Sequence, residues 1–162
     1  MMTNAIALAE LQQVLDRHGL DAALLFLNAR VPHRYTAVYR LSDAYLRRLG
    51  FIDKEGGPGV EFAEVPLKDS FCELAIRQPP LVVTDVDADP RLAEYPNAGL
   101  LMSYVGLPLS VGPGALYGTL CHYDTSAHSL SDAELSFLEQ ASELLLQFCL
   151  RTGVSPHEMV TG

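Results

Sequence analysis

Residues 117–124 read YGTLCHYD and place a cysteine directly beside a histidine. Such a pair suggests redox, metal or nucleophilic chemistry, so the local geometry decides what the stretch means. Successive side chains of an extended strand point to opposite faces of a sheet. Cys121 therefore shares a face with Thr119 and Tyr123, whereas His122 lies on the other face. The two side chains of the pair do not meet in a regular strand, and we interpret the stretch as a sheet strand.

The sequence on either side of this strand predicts its neighbours. Residues 103–111 (SYVGLPLSV) form an apolar run that is joined to it through Gly112-Pro113-Gly114, a combination typical of a hairpin turn. Downstream, Ser131 and Glu134 have the spacing of a capping box, which predicts a helix over residues 132–150. The chain therefore closes with a hairpin followed by a long helix.

The first part of the chain combines helical and strand periodicity. Residues 4–17 place apolar side chains on one helical stripe, and Gly19 is a suitable C-terminal stop. Residues 20–28 (LDAALLFLN) predict a second helix. Residues 33–41 alternate with the period of a strand, and residues 45–52 are close enough to form its hairpin partner.

The middle of the chain predicts shorter elements. Residues 60–65 (VEFAEV) suggest a weak third strand, and residues 81–86 (LVVTDV) a short apolar one. Ser70 with Glu73 three residues later is a second capping box, which starts a helix over residues 70–78. Antiparallel hairpins with helices in the middle and at both ends predict an α+β fold, a sheet layered with helices.

Composition indicates one ordinary globular domain. Of the 162 residues, 49% are hydrophobic and 19% charged, and a chain of this length buries a core without disulfides or metals. The formal net charge of −9 argues against nucleic acid and anionic membranes as partners, because both repel an acidic surface. No apolar run approaches the roughly 20 residues that span a bilayer, and the opening MMTNAIALAE lacks the basic start of a signal peptide. We expect a cytoplasmic protein.

The cysteines give no sign of a disulfide framework or a zinc site. There are three of them, Cys72, Cys121 and Cys149, without a C-x-x-C spacing, which suits a reducing compartment. The sequence also lacks G-x-S-x-G, the P-loop, H-E-x-x-H and the dinucleotide fingerprint. We predict no catalytic residue and no metal site.

Several stretches, taken in order, resemble a GAF domain, the small-molecule sensor module of phytochromes, cyclic-nucleotide phosphodiesterases and many bacterial signalling proteins. They are RYTAVYRL, SFCELAI, LVVTDVDADPRL, SYVGLPL and YGTLCHYDTSAHSLSDAELSFLEQAS. The resemblance implies a GAF-like antiparallel sheet with the terminal helices on one face and a ligand cavity under the middle helices and loops on the other. It divides the chain into an N-terminal helix at residues 1–19, available for dimerisation, a GAF domain at 20–150 and a flexible tail at 151–162.

The resemblance implies a non-catalytic sensor that binds an unidentified small molecule and acts in signalling as a homodimer, with a signalling partner protein. The ligand and any cofactor stay unknown. One alternative is a thiol-dependent enzyme of the free methionine-R-sulfoxide reductase kind, and another is a dimerisation module without ligand. Against the reductase, no cysteine lies between Glu73 and Leu120, and Cys121 stands where that family carries an acidic residue.

The polar stretch TDVDADPR (84–91) contains two candidate ligand-binding residues. Asp85, Asp87 and Asp89 begin like a calcium loop, but the glycine and glutamate of that motif are missing. We interpret Asp87 or Asp89 as a helix N-cap. Arg91 either binds a carboxylate or phosphate group of a ligand or forms an ion pair with a neighbouring aspartate.

The other candidates lie on the predicted helix and strands. Cys72 either packs in the core or, near a helix N-terminus, has its thiolate favoured by the helix dipole. Cys121 is either a small core residue or a ligand contact. The full set of candidate ligand-binding residues is Cys72, Asp85, Arg91, Tyr104, Thr119 and Cys121.

Overall fold

The computed structural model describes residues 2–56, 59 and 62–153. In chain order the elements are α1 (Met2–His18), α2 (Leu20–Asn28), β1 (Tyr35–Ser42), β2 (Tyr45–Asp53), β3 (Glu64–Pro66), α3 (Phe71–Arg77), β4 (Leu81–Val83), β5 (Ser103–Ser110), β6 (Leu116–Asp124) and α4 (Asp132–Thr152). The strands form one antiparallel sheet in the order β3-β2-β1-β6-β5-β4. The predicted α+β fold is therefore confirmed.

Two separate cores lie on the two faces of this sheet. The helical face packs against α1, α2 and α4, through buried side chains such as Leu11, Leu24 and Leu145. The other face, which we call the pocket face, packs against α3 and the turns that follow β4, through side chains such as Phe71 and Leu92. The terminal helices lie on one face and a middle helix with turns lies on the other, as the resemblance to GAF domains implied.

Most element boundaries agree with the sequence patterns. Gly19 separates α1 from α2 with a positive φ of 88°, a backbone conformation that glycine adopts without strain. The weak third strand is only three residues long, and residues 60 and 61 of its predicted span lie outside the described residues. Of the predicted flexible tail, residues 151 and 152 form the last turn of α4, and residues 154–162 also lie outside the described part of the chain.

The two capping boxes are only half formed. Ser131 accepts a hydrogen bond from the Glu134 amide at 3.1 Å, but the Glu134 carboxylate binds Arg30 instead of the backbone of Ser131. Ser70 likewise caps α3 by accepting from an amide of its first turn, while Glu73 pairs with Arg77. Both serines cap their helices as predicted. Glu134 instead pairs with Arg30, which is distant in the sequence, and Glu73 pairs with Arg77, one turn further along α3.

Removing the cap of α4 should weaken the whole domain, because this helix packs in the core of the helical face. We expect Ser131→Ala to lower the free energy of unfolding by about 1 kcal/mol, the usual cost of losing an N-cap hydroxyl. Urea denaturation measures the change. Ser136→Ala, at an exposed position within the same helix, should leave the free energy of unfolding unchanged or raised, since alanine is the better helix former.

Gly118 is required by a close approach of two strands. A Cβ built at this position would overlap the carbonyl oxygen of Tyr39 and lie 2.9 Å from its carbonyl carbon. The neighbour is the backbone of β1, so the interpretation of such a glycine as room for a side chain or a ligand would be wrong here. β6 therefore lies against β1 at a distance that excludes any side chain at this position.

Candidate functional site

A pocket lies on the pocket face, between the sheet, α3 and the turn around Asn97. Its apolar and aromatic walls are formed by Tyr39, Phe62, Val65, Phe71, Leu101, Tyr104 and Tyr123. Its polar groups are the tyrosine hydroxyls and those of Ser70, Cys72, Asn97 and Cys121, and no described residue of the lining is acidic, basic or a histidine. The cavity volume is about 20 Å³, room for about one water molecule.

Two cysteines meet at the floor of this pocket. Cys72, in the first turn of α3, has its sulfur 3.0 Å from the Tyr104 hydroxyl and accepts a hydrogen bond from Thr119 Oγ1 at 3.3 Å. Cys121 lies two residues beyond Thr119 on the same face of β6, and its thiol donates to the Ala37 carbonyl at 3.7 Å. The sulfurs of Cys72 and Cys121 are also within hydrogen-bonding reach of each other.

Hydrogen bonding between the two thiols shifts their pKa values in opposite directions. Hydrogen bonding with Cys121 lowers the pKa of the Cys72 thiol, and Ser70, Thr119 and Tyr104 act in the same direction against the opposing effect of burial. The pKa of Cys121 is raised, first by the same contact with Cys72 and then by burial. Cys72 is therefore the thiol of the pair that more readily loses its proton.

Gly106 explains how the Tyr104 hydroxyl reaches Cys72. The two residues lie on the same face of β5, and a Cβ at position 106 would be 2.7 Å from Cζ of the tyrosine ring. The ring therefore lies flat across the glycine, next to Cys121, which pairs with Gly106 in the sheet. Any larger residue at position 106 would displace the Tyr104 hydroxyl from the thiols.

The structure brings four of the six candidate residues together. Cys72, Tyr104 and Cys121 line the pocket, and Thr119 binds the sulfur of Cys72 from the sheet side. Period-two alternation explains why Thr119 and Cys121 share a face of β6, whereas Cys72 and Tyr104 come from α3 and β5 and meet them only in the folded chain. Asn97 and Phe62 were not predicted, since they come from loop segments without periodicity.

The two candidates from the aspartate-rich stretch are not in the pocket lining. Asp85 caps a single 3-10 turn by accepting from the Asp87 amide at 3.0 Å. Arg91 forms a bidentate ion pair with Asp89, with the shorter contact at 2.6 Å. The N-cap role expected for Asp89 is confirmed, since it also accepts from the Arg91 amide, whereas Asp85 rather than Asp87 provides the other cap.

The histidine of the opening motif belongs to a buried polar cluster on the helical face. Asn28 donates to Thr36 Oγ1 at 2.8 Å, and that hydroxyl lies 2.6 Å from Nδ1 of His122. The His122 ring stacks on His33, with 5.8 Å between ring centroids. Both ring nitrogens of His33 and Nε2 of His122 lack a hydrogen-bond partner among the described residues. His122 is thus structural, and only one of its nitrogens is satisfied.

Burial makes both imidazoles weak bases. It lowers the pKa of His33 to about 4, aided by the nearby positive charges of His128 and Lys54. It lowers the pKa of His122 to about 3, with His33 as the next cause. Within residues 2–56, 59 and 62–153, no group of three or more His, Cys, Asp or Glu side chains is placed to hold a metal ion.

Comparison with known proteins identifies the fold family. A model of the GAF domain family matches residues 4–147. The chain belongs to the GAF domain family. The matched span begins within α1 and ends within α4, so it includes the sheet, the pocket and both flanking helices of this GAF domain. No functionally curated protein matches the sequence.

Solved structures give the same fold at low sequence identity. The GAF domain of an Acinetobacter phosphoenolpyruvate-protein phosphotransferase is similar at a TM-score of 0.74 and 15% identity, over 93% of this chain and 95% of that one. A GAF sensor protein described as putative, from Burkholderia vietnamiensis, gives 0.71 and 18%, over 94% and 96%. A free methionine-R-sulfoxide reductase from Neisseria meningitidis, in complex with its substrate, gives 0.72 and 18%, over 93% and 92%. These similarities define the fold alone.

No helix in the described part of this GAF domain combines the length and the apolar character that crossing a membrane requires.

Proposed function

We propose that this GAF domain is a non-catalytic sensor that binds a small molecule in the pocket beside Cys72 and Cys121. The observation that carries the proposal is the pocket itself, a concave site with aromatic walls and a few convergent polar groups, as is typical of ligand sites. The GAF fold supports it, because domains of this family commonly bind small molecules in signalling.

The lining favours an uncharged ligand with an apolar or aromatic part. Tyr39, Phe71 and Tyr123 offer ring faces and edges, while Asn97 and Ser70 offer hydrogen bonds. The lining contains no positively charged side chain that could bind an anion. Arg91 lies outside the pocket and forms an ion pair with Asp89. The small cavity volume means that a ligand of several heavy atoms requires the turn from Asn97 to Leu101 to move outward.

Native mass spectrometry of the protein purified from its own host, together with an absorption spectrum, tests this proposal. We expect a bound small molecule that is lost in Leu101→Trp, because Leu101 is buried in the lining and tryptophan fills the space. Leu100→Trp is the matched control, since Leu100 is 51% exposed and should keep the ligand. A ligand-free mass for the wild type, or equal retention by both variants, would contradict the proposal. Melting temperatures show that both variants fold.

The reductase alternative has one observation in its favour, the pair of thiols at the pocket floor. Incubation with free methionine sulfoxide and a thiol reductant distinguishes it from the sensor. We expect no turnover, because the sulfurs of Cys72 and Cys121 are buried under aromatic side chains in a cavity about the size of one water molecule.

We further propose that the sensor acts as a homodimer through its terminal helices. α1 and α4 each expose a large apolar side chain, Ile6 at 59% and Leu150 at 42%. In such a dimer a signalling partner would respond to the relative position of the two helices. Sedimentation analysis gives the oligomeric state directly, and a monomer at micromolar concentration would contradict this part of the proposal.

A further inference from the structure

The thiols of Cys72 and Cys121 are arranged for chemistry with each other. Cys72 reaches from α3 to the sheet, where its sulfur contacts Thr119 and the Tyr104 hydroxyl. Cys121 is the next residue along the same face of β6, and it pairs with Gly106, over which the ring of Tyr104 lies on its way to the Cys72 sulfur. Both side chains line the same pocket floor, so a redox reaction between them requires no large movement of the fold.

Both sulfurs also border the cavity. The two residues are only 2% and 1% exposed, so a reagent reaches them through the pocket and not from the outer surface. The cavity has room for about one water molecule. Hydrogen peroxide is among the smallest oxidants and requires the least outward movement of the turn from Asn97 to Leu101, whereas larger electrophiles require more.

We propose that Cys72 and Cys121 form an oxidation site in which a small hydroperoxide converts the two thiols into an intramolecular disulfide. This modification is a second input to the domain and does not depend on the pocket binding a ligand. It would tie α3 to β6 across the pocket floor and remove the contact between Cys72 and Tyr104. Oxidation would therefore change the shape of the proposed ligand pocket.

The reaction balances in two steps. The Cys72 sulfur attacks one oxygen of the hydroperoxide, an S–O bond forms and the O–O bond breaks, and the leaving oxygen takes the thiol proton to give water or an alcohol. The Cys121 sulfur then attacks the Cys72 sulfenic acid, an S–S bond forms and the S–O bond breaks, and hydroxide leaves with the Cys121 proton as water. Two thiols are oxidised by two electrons and one hydroperoxide is reduced.

Two features assign Cys72 as the attacking thiol. Its sulfur accepts a hydrogen bond from Thr119 and lies 3.0 Å from the Tyr104 hydroxyl, contacts that favour its thiolate, and the thiolate is the reactive form of cysteine. Cys121 has a raised pKa and donates its proton, so it is the resolving thiol. The third cysteine, Cys149, is packed in the core of the helical face and takes no part.

The test treats the reduced, folded full-length chain with hydrogen peroxide and then counts free thiols after unfolding. We expect the count to fall from three to one, and peptide mapping to find Cys72 joined to Cys121 in both the wild type and Cys149→Ser. A thiol reductant should restore all three thiols. Cumene hydroperoxide, which requires the turn from Asn97 to Leu101 to move outward, should lower the count more slowly than hydrogen peroxide.

The single variants test the order of the two steps. Cys121→Ser should stop at the sulfenic acid on Cys72, which dimedone traps, and Cys72→Ser should leave Cys121 reduced. Three free thiols remaining in the peroxide-treated wild type and two in peroxide-treated Cys149→Ser, or a cross-link that includes Cys149, would overturn the proposal. A sulfenic acid on Cys121 of Cys72→Ser would overturn the assigned order. The thiol count is independent of ligand copurification, so failure here is distinguishable from failure of the proposed sensor function.

Discussion

Of the substitutions that add a single methyl group, we expect Gly118→Ala to lower the free energy of unfolding of this protein the most. The new Cβ would overlap the carbonyl oxygen of Tyr39, a backbone atom of the neighbouring central strand, so no side-chain rotation relieves the clash. β1 and β6 must separate at the middle of the sheet, and both cores pack against this strand pair. We expect a loss of at least about 3 kcal/mol in the free energy of unfolding, the upper end for overpacked interiors.

The matched control is Gly99→Ala. A Cβ at Gly99 meets nothing within 4 Å, and the residue does not have a positive φ. Alanine there should leave the free energy of unfolding unchanged or slightly raised, because it restricts the unfolded chain. Urea denaturation of both variants measures the difference, which should be several kcal/mol. Equal stability of the two variants would show that the strands are farther apart than in this structure.

The second large effect is a loss of stability in mild acid. His33 and His122 have pKa values lowered by burial to about 4 and about 3, whereas the unfolded chain has the ordinary value of 6.5. Below pH 6.5 the unfolded state therefore binds protons that the folded state does not. The contribution of the two neutral histidines to the free energy of unfolding is fully present above pH 6.5. It is lost as the pH falls toward their pKa values in the folded state, with a slope of about 1.4 kcal/mol per pH unit for each histidine.

The variant His33→Phe separates this effect from general acid denaturation. Its backbone carbonyl still accepts from Asn28, and the ring nitrogens that it removes have no partner among the described residues. Between pH 7.5 and 5 we expect the variant to lose on the order of 2 kcal/mol less than the wild type. His18→Gln, at an exposed position, should follow the wild type. If all three proteins lose the same amount, the acid sensitivity has another source.

Much of the fold was accessible from local patterns. Period-two alternation placed residues 33–41 and 117–124 in strands, and it assigned Cys121 and His122 to opposite faces, as the structure has them. Serine caps gave the starts of α3 and α4, and Gly19 gave the end of α1. These signals depend on residues that are close together in the chain, so they can be recognised from the sequence without the structure. Of the short 3-10 turns after β4, the sequence indicated only an aspartate cap, because such turns have little periodicity.

The site was only partly accessible from the sequence. Strand alternation put Thr119 and Cys121 on one face, and Cys72 was singled out by its place near the N-terminus of a predicted helix, whereas Tyr104 was named as an aromatic lining residue. The resemblance to GAF domains directed attention to Asp85 and Arg91, whose side chains instead bind within their own turns. Asp89 lies two residues before Arg91 and forms an ion pair with it. The sequence alone does not tell whether such an arginine binds a neighbouring aspartate or a ligand.

By itself the sequence determined the order of helices and strands and the face on which each strand residue lies, since those follow from backbone periodicity and capping. The tertiary structure decided which residues meet. The contact between Cys72 and Cys121 joins residues 49 positions apart, and it depends on α3 lying over β6 and on Gly106 admitting the Tyr104 ring. The adjacent Cys121 and His122, which seemed to be partners, contribute to different cores on opposite faces of the sheet, because a strand turns neighbouring side chains away from each other.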